Sequence, residues 1–280
     1  MKQKNGFIIA IAVLLVVILA ILVFPLCMMI YGSFMTNDGS SFTLQNYFTI
    51  FKEKLYLQSF WNSILISILS SLIALILTAV ATYAIAEKSI KFKEKFLVIA
   101  NLTSNFAGIP LAFAFIILLG NTGVFVLLDK GLGLNLLSGF SVYSFTGIML
   151  IYVYFQIPLG IMLLFPIYEG IDKRWKEAAS LLGASNFQYW VKIALPNLLP
   201  SFAGVFTIMF ANSMGAYASA YALTGSSYNL LAIRIGNSVA GDIFAQPEIA
   251  AALAVVLAII LLINMLANEY IMKSIRRDIK

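Results

Sequence analysis

The chain has no histidine, which removes the side chain most used for acid–base catalysis near neutral pH and for metal ligation. Its one cysteine, Cys27, excludes an intrachain disulfide and reads as a packing residue inside the first apolar run. Charge is scarce as well: 11% of residues are Asp, Glu, Lys or Arg, and residues 96–128 and 197–233 carry none. No apolar run holds a pair of carboxylates of the kind that general acid–base chemistry needs. A phosphate-binding Gly-x-x-x-x-Gly-Lys-Ser/Thr loop is also missing, since the glycine-containing pieces near Gly131 and Gly225 lack the lysine. Together these absences argue against a membrane enzyme, and against an ATPase in this chain.

What is present is apolar surface. Hydrophobic residues make up 61% of the 280, and mean hydropathy is strongly positive. A bilayer core of about 30 Å requires about 20 apolar residues per helix, and the chain offers six such runs. They are expected at Phe7–Tyr31, Phe60–Ala86, Phe96–Leu119, Val142–Tyr168, Leu199–Leu223 and Ala250–Met272. The first is too long for an ordinary cleaved signal peptide and is expected to remain as an anchor. The fold class is therefore an all-α polytopic membrane protein. Residues 1–58 form the first helix and an outer loop, 59–272 a five-helix core, and 273–280 a basic tail.

The net charge of +6 does not point to nucleic acid, because the basic residues form short blocks beside apolar runs and no continuous face. Their distribution orients the chain instead. Lys2 and Lys4, the lysines of 88–95, Lys173, Arg174, Lys176 and Lys192, and the tail basics from Lys273 to Lys280 fall on one side. Only Lys52, Lys54, Lys130 and Arg234 fall on the other. Lysine and arginine are retained in the cytoplasm, so both termini are expected inside. Among the outer connections, Thr36-Asn37-Asp38-Gly39 is a turn signal, and Leu44-Gln45-Asn46-Tyr47-Phe48 suits a short interfacial helix.

The inner connection between spans four and five has the most specific pattern. Residues 173–182 are rich in helix formers, and Gly183 stands where a left-handed cap would end that helix. Ser185 and Gln188 have capping-box spacing for a second short helix, about 186–195, while Pro196 and Pro200 bracket the start of span five. Glu177 offers a carboxylate, Ala178 and Ala179 allow close approach, and Leu181 and Leu182 offer apolar contact. A docking element for a partner and an amphipathic helix lying on lipid both fit this chemistry.

Glu177-Ala178-Ala179, then Gly183, then Ile193 and Leu195-Pro196, resembles the EAA loop of the permease subunits of ATP-binding-cassette (ABC) importers. Asn62-Ser63 and Tyr83-Ala84-Ile85-Ala86 are similar to the family's pattern in span two, and the resemblance runs from about Ser59 to Met272. It implies a type I importer permease fold with a cytoplasmic coupling helix between spans four and five. It further implies a cytoplasmic ATPase dimer that binds ATP and Mg, a second permease subunit of the same or another sequence, and an extracytoplasmic solute-binding protein. This chain would carry no cofactor. By that resemblance Glu177, Ala178, Ala179, Leu182 and Gly183 are the coupling residues.

A translocation path needs uncharged hydrogen-bonding groups in apolar spans. Asn105, with Asn101 and Ser104 nearby, Gln156, and Asn212, Ser213 and Tyr217 are the candidates; each could equally serve helix–helix bonding. The segment from Ser104 to Phe113 is similar to permeases of the polyamine and aminophosphonate branch, with iron(III), sulfate and thiamine systems as relatives, and implies a small polar solute, a polyamine or aminophosphonate being expected first. The competing reading is an ion-coupled secondary transporter. Such carriers usually place ionisable groups at mid-membrane, and the charge-free stretches argue against it. Pro110 and Pro158 are expected as packed kinks.

Overall fold

The computed structural model describes residue 11, residues 13–240 and residues 245–278. Lys2, Lys4, the expected start of span one at Phe7, and Lys280 lie outside the described residues. Among those described, six helical segments are long and apolar enough to cross a membrane: Val13–Ser33, Lys54–Ala86, Ile109–Leu132, Phe145–Glu169, Asn186–Met214 and Pro247–Lys273.

In chain order the helices are α1 (Val13–Ser33), α2 (Gln45–Lys52), α3 (Lys54–Ala86), α4 (Ile90–Ser104), α5 (Ile109–Leu119) and α6 (Val124–Leu132). They continue with α7 (Phe145–Glu169), α8 (Lys173–Leu181), α9 (Asn186–Met214), α10 (Tyr217–Thr224), α11 (Leu231–Ala240) and α12 (Pro247–Asp278). The expected interfacial helix after span one is α2. Its buried Asn46 donates from Nδ2 to the carbonyls of Ser33 (3.0 Å) and Met35 (2.9 Å), fastening α2 under the end of α1. In the turn before it, hydrogen bonds from Thr36 and Ser40 hold the Asp38 carboxyl down at about 2.

The bundle is ordered by small polar residues more than by large apolar ones. Along α3, Ser59, Ser63, Ser67, Ser70, Ser71, Ala74, Thr78 and Thr82 are all buried, a spacing of three and four that places them on one face. Leu65, Ile76 and Val80 of the same helix are exposed. Lipid tails are as apolar as leucine, so burying leucine against another helix gains little in a bilayer. Close backbone approach and hydrogen bonds decide which face turns inward. The α3 stripe meets α7 and α9. At Gly160 of α7 an added Cβ would lie 2.8 Å from Thr78 Cγ2 and would also run into the Met209 methyl of α9, so three helices converge on a position where any larger residue would force its neighbours to shift.

Two expected spans are interrupted. The run Phe96–Leu119 is two helices, α4 and α5, separated at Asn105–Gly108. Gly108 adopts φ +84°, ψ −144°, a conformation open essentially to glycine, and Pro110 then occupies the first turn of α5, where its missing donor costs least. Pro110 thus starts a helix instead of kinking one, whereas Pro158 does lie inside the continuous α7. The run Leu199–Leu223 ends at Met214 and resumes as α10 after Gly215–Ala216.

The opposite happens at the inner end of span five. The short helix expected over 186–195 is continuous with the span: Trp190–Ala194 forms a π turn in which the Leu195 N–H donates to the Trp190 carbonyl. Pro196 and Pro200 cannot supply amide donors to the ladder. The wider turn lets the chain pass Pro196, Pro200 lies inside the helix beyond it, and α9 runs unbroken from Asn186 into the membrane.

Candidate coupling hairpin and polar path

The hairpin between spans four and five is built by local capping. Asp172 caps α8 by accepting the Arg174 N–H at 2.9 Å, and the Arg174 side chain holds the Asp172 carboxyl below the usual carboxylate range. At the other end Gly183 sits at φ +79°. Its N–H donates to the Ser180 carbonyl (3.0 Å) and that of Ala184 to the Ala179 carbonyl (2.9 Å), a Schellman motif. The expected capping box follows: Gln188 N–H donates to Ser185 Oγ (3.2 Å) and Ser185 N–H to Gln188 Oε1 (2.8 Å).

These caps fold α8 against the start of α9 and sort the candidate coupling residues into two sets. Ala179 is 4% exposed and packs on Tyr189 and Ala194, so its small size serves the inside of the hairpin. Glu177, Ala178, Leu181, Leu182 and Gly183 face outward, with Leu181 and Leu182 exposed to 89% and 88%. Phe187, 77% exposed on the first turn of α9, joins that apolar tip. Sequence reasoning passed over it; a bulky aromatic directly after a capping serine on a solvent-facing turn was the available signal.

The hairpin also grips the bundle. Trp190 stacks edge-on against Tyr83 of α3 (4.7 Å between centroids) and lies 6.3 Å from Tyr168 of α7. Glu87, the residue after α3, accepts the Tyr83 hydroxyl (2.9 Å) and pairs with Lys176 of α8 at 3.8 Å, while Lys93 of α4 pairs with Glu169 of α7. An open cleft of about 920 Å³ separates α8 from the α3–α4 turn, lined by Glu87, Lys88, Lys93, Lys176, Glu177 and Ser180 among others.

The candidate path residues divide in the same way. Gln156 and Ser213 are buried (0% and 2% exposed) in a network joining three spans. Gln156 Nε2 donates to Ser70 Oγ and Ser213 Oγ, its Oε1 accepts from Ser71 Oγ, all at 3.1 Å, and the Ser70 and Ser213 hydroxyls are bonded at 3.0 Å. Asn105, Asn212 and Tyr217 are exposed. Asn105 Nδ2 donates back to the Asn101 carbonyl (2.9 Å), and Tyr217 stacks on Tyr221 (5.2 Å, 22°) with both rings partly open.

Those open residues flank the two helix breaks, and the breaks touch. Gly108 N–H donates to Ser219 Oγ of α10 (3.0 Å), and the Tyr152 hydroxyl of α7 donates to the Ala216 carbonyl (2.9 Å). Backbone groups freed by a break inside a membrane need such partners. Tyr152 and Ser219 supply them, although neither was singled out in the sequence. Among the described residues no group of His, Cys, Asp or Glu is placed to hold a metal ion.

Comparison with known proteins places this architecture. The family model described as "Binding-protein-dependent transport system inner membrane component" matches residues 96–277. The spermidine/putrescine transport system permease PotC of Escherichia coli is 26% identical over 245 residues, 85% of this chain and 84% of PotC. The alpha-glucoside transport system permease AglG of Rhizobium meliloti is 29% identical over 214 residues, 73% of this chain but only about half (53%) of AglG. In structure, a chain of a bacterial ABC transporter that imports the acidic polysaccharide alginate superposes with a TM-score of 0.76 over 98% of this chain and 96% of that one, at 16% identity. The chain belongs to the inner-membrane permease family of binding-protein-dependent ABC importers.

Proposed function

We propose that this chain is the translocating subunit of an importer whose ATPase is a separate polypeptide engaged by the α8 hairpin. The supporting observation is the unbroken α9. A solvent-facing tip of Glu177, Leu181, Leu182 and Phe187 is joined through the π turn to span five with no flexible link between them. A force on the tip is a force on the span. ATP and Mg belong to the ATPase dimer; a second permease subunit completes the path, and an external binding protein delivers the solute. In this arrangement both termini and the hairpin face the cytoplasm, the outer face of an inner membrane being the side of α2 and α11. ATP binding and release then bias the bundle between outward- and inward-facing states through differential affinity.

The solute in this reading is small and polar, with a polyamine as first candidate. PotC and the Haemophilus influenzae permease PotB, which are named for spermidine and putrescine, align over 84% and 74% of their own lengths. An uncharged sugar is the second reading. It is favoured by the exposed Asn101, Asn105, Asn212, Tyr217 and Tyr221, which offer amides and ring faces but no carboxylate to replace the hydration of a polycation. The test is gentle purification followed by reconstitution with the co-purifying subunits. An ATPase chain should accompany the permease, and radiolabelled putrescine should enter vesicles only with ATP. Uptake by the permease alone, driven by an ion gradient, would refute the assignment, while trehalose uptake in place of putrescine would select the second reading. A cysteine introduced at position 185 should react with impermeant reagents only from the cytoplasmic side.

A further inference from the structure

Between α3, α7, α9 and the start of α11 lies a small, partly open cavity of about 10 Å³, the smallest volume that accommodates one water molecule. Its polar wall is Ser63, Ser67, Tyr152 and Ser213; Leu230 and Ala232 are among the residues that close it. Ser67 is 1% exposed, and its Oγ has no hydrogen-bond partner among the described residues. Thr78 on the same face of the same helix shows the usual alternative: its hydroxyl donates to the Ala74 carbonyl one turn back, at 2.7 Å. Ser67 does not do this.

The other hydroxyls on the wall keep capacity for a further bond. Ser63 Oγ accepts the Leu231 N–H (2.8 Å) and retains its own proton. The Tyr152 hydroxyl donates to the Ala216 carbonyl and retains an acceptor lone pair. Ser213 Oγ belongs to the Gln156 network. A metal cation is a poor match for so small a site with no carboxylate on its wall, and an apolar occupant would leave Ser67 unpaired. We propose that Ser63, Ser67, Tyr152 and Ser213 hold one buried water molecule, which joins α3 to the break in span five and to the start of α11.

This site is distinct from the coupling tip and from the open path residues. Through Ser213 and Tyr152 it touches both sides of the Gly215–Ala216 interruption, and through Ser63 the first turn of α11. One water with two donors and two acceptors can exchange partners among hydroxyls more cheaply than a fixed side-chain pair. It therefore acts as a joint where span five is interrupted.

Two variants give opposite signs for a hydrated and a dry cavity. In a dry cavity Ser67→Ala removes an unpaired buried hydroxyl and Ser67→Val also fills the void, so both should leave Tm unchanged or raise it. With a bound water, Ser67→Ala loses a bond to it. Ser67→Val displaces it and strands the remaining hydroxyls, lowering Tm by about 2–4 °C. The measurement is thermal unfolding of the full chain in its purified transporter, paired with a cryo-EM map at a resolution that shows other ordered waters. Alanine changes volume little, so it keeps the test readable if the valine variant fails to assemble. A density peak within hydrogen-bonding distance of Ser67 Oγ, with lowered Tm, is the expected result. No peak, or a Tm equal to or above wild type in the variants that assemble, overturns the proposal.

Discussion

Gln156→Leu separates a structural role from a solute-binding role at the centre of the bundle. The wild-type amide makes three side-chain bonds, to Ser70, Ser71 and Ser213, and is fully buried between α3, α7 and α9. Inter-helix hydrogen bonds in membrane proteins contribute about 0.6 kcal/mol each on average, so three amount to about 2 kcal/mol. Leucine has nearly the same volume and adds no large cavity. The hydroxyls left behind can partly recover, since Ser70 and Ser213 remain bonded to each other and a serine can turn to its own helix's carbonyl. The expected loss is therefore about 1–2 kcal/mol, read as a lowered unfolding midpoint of the detergent-solubilised transporter. The KM for solute should stay within about twofold, because a shift in KM alone reports lost ground-state binding. An unchanged midpoint with a several-fold rise in KM would refute the reasoning and put Gln156 in the path.

Other perturbations probe the remaining parts. Gly183→Pro cannot adopt φ +79° and loses the N–H that Ser180 accepts; together with Glu177→Lys it should abolish uptake while the protein still inserts. Wild-type uptake with normal ATPase association in both variants would contradict the coupling role. Gly160→Ala forces a methyl toward Thr78 and Met209 and should cost about 1–3 kcal/mol, measured by thermal unfolding. Asp172 has a depressed carboxyl pKa, so its cap on α8 is fully present above the ordinary carboxylate value of about 4. The cap is lost as pH falls further through the folded value. Protection of the α8 amides against hydrogen exchange, taken relative to the intrinsic rate at each pH, should fall in acid, and Asp172→Asn should flatten that dependence.

The general plan was legible because it rests on short-range chemistry. Apolar run length specifies spans, and Gly183, Ser185 and Gln188 specify the ends of the hairpin, since caps depend on residues three or four apart. What escaped the sequence depends on partners distant in the chain. The charge-free run from Phe96 concealed a break, because hydropathy is the same in a continuous and an interrupted helix. The residues that make the break tolerable, Ser219 for Gly108 and Tyr152 for Ala216, are 111 and 64 positions away. Asn105, Gln156, Asn212, Ser213 and Tyr217 look alike in sequence as polar residues in apolar runs. Only packing separates the enclosed pair, Gln156 and Ser213, from the open three.

One local feature misread in the sequence bears most directly on the proposed coupling. Two prolines at the start of span five suggest a discontinuity between hairpin and span, because each deletes a donor from the ladder. The π turn at Trp190–Ala194 reverses that consequence. By offering the Trp190 carbonyl to Leu195, it lets the chain pass Pro196 as a helix. A break there would have let the hairpin swivel independently of the membrane. With the helix continuous, and with Trp190 in the same turn held against Tyr83 and near Tyr168, displacement of the Leu181–Leu182–Phe187 tip reaches α3, α7 and span five together. The helix interruptions lie instead beyond Met214 and before Ile109, where the two broken helices meet through the Gly108–Ser219 bond. The molecule is continuous where force would enter under the proposed coupling and interrupted beside the proposed solute path, an order suited to converting movement of the tip into a change of access.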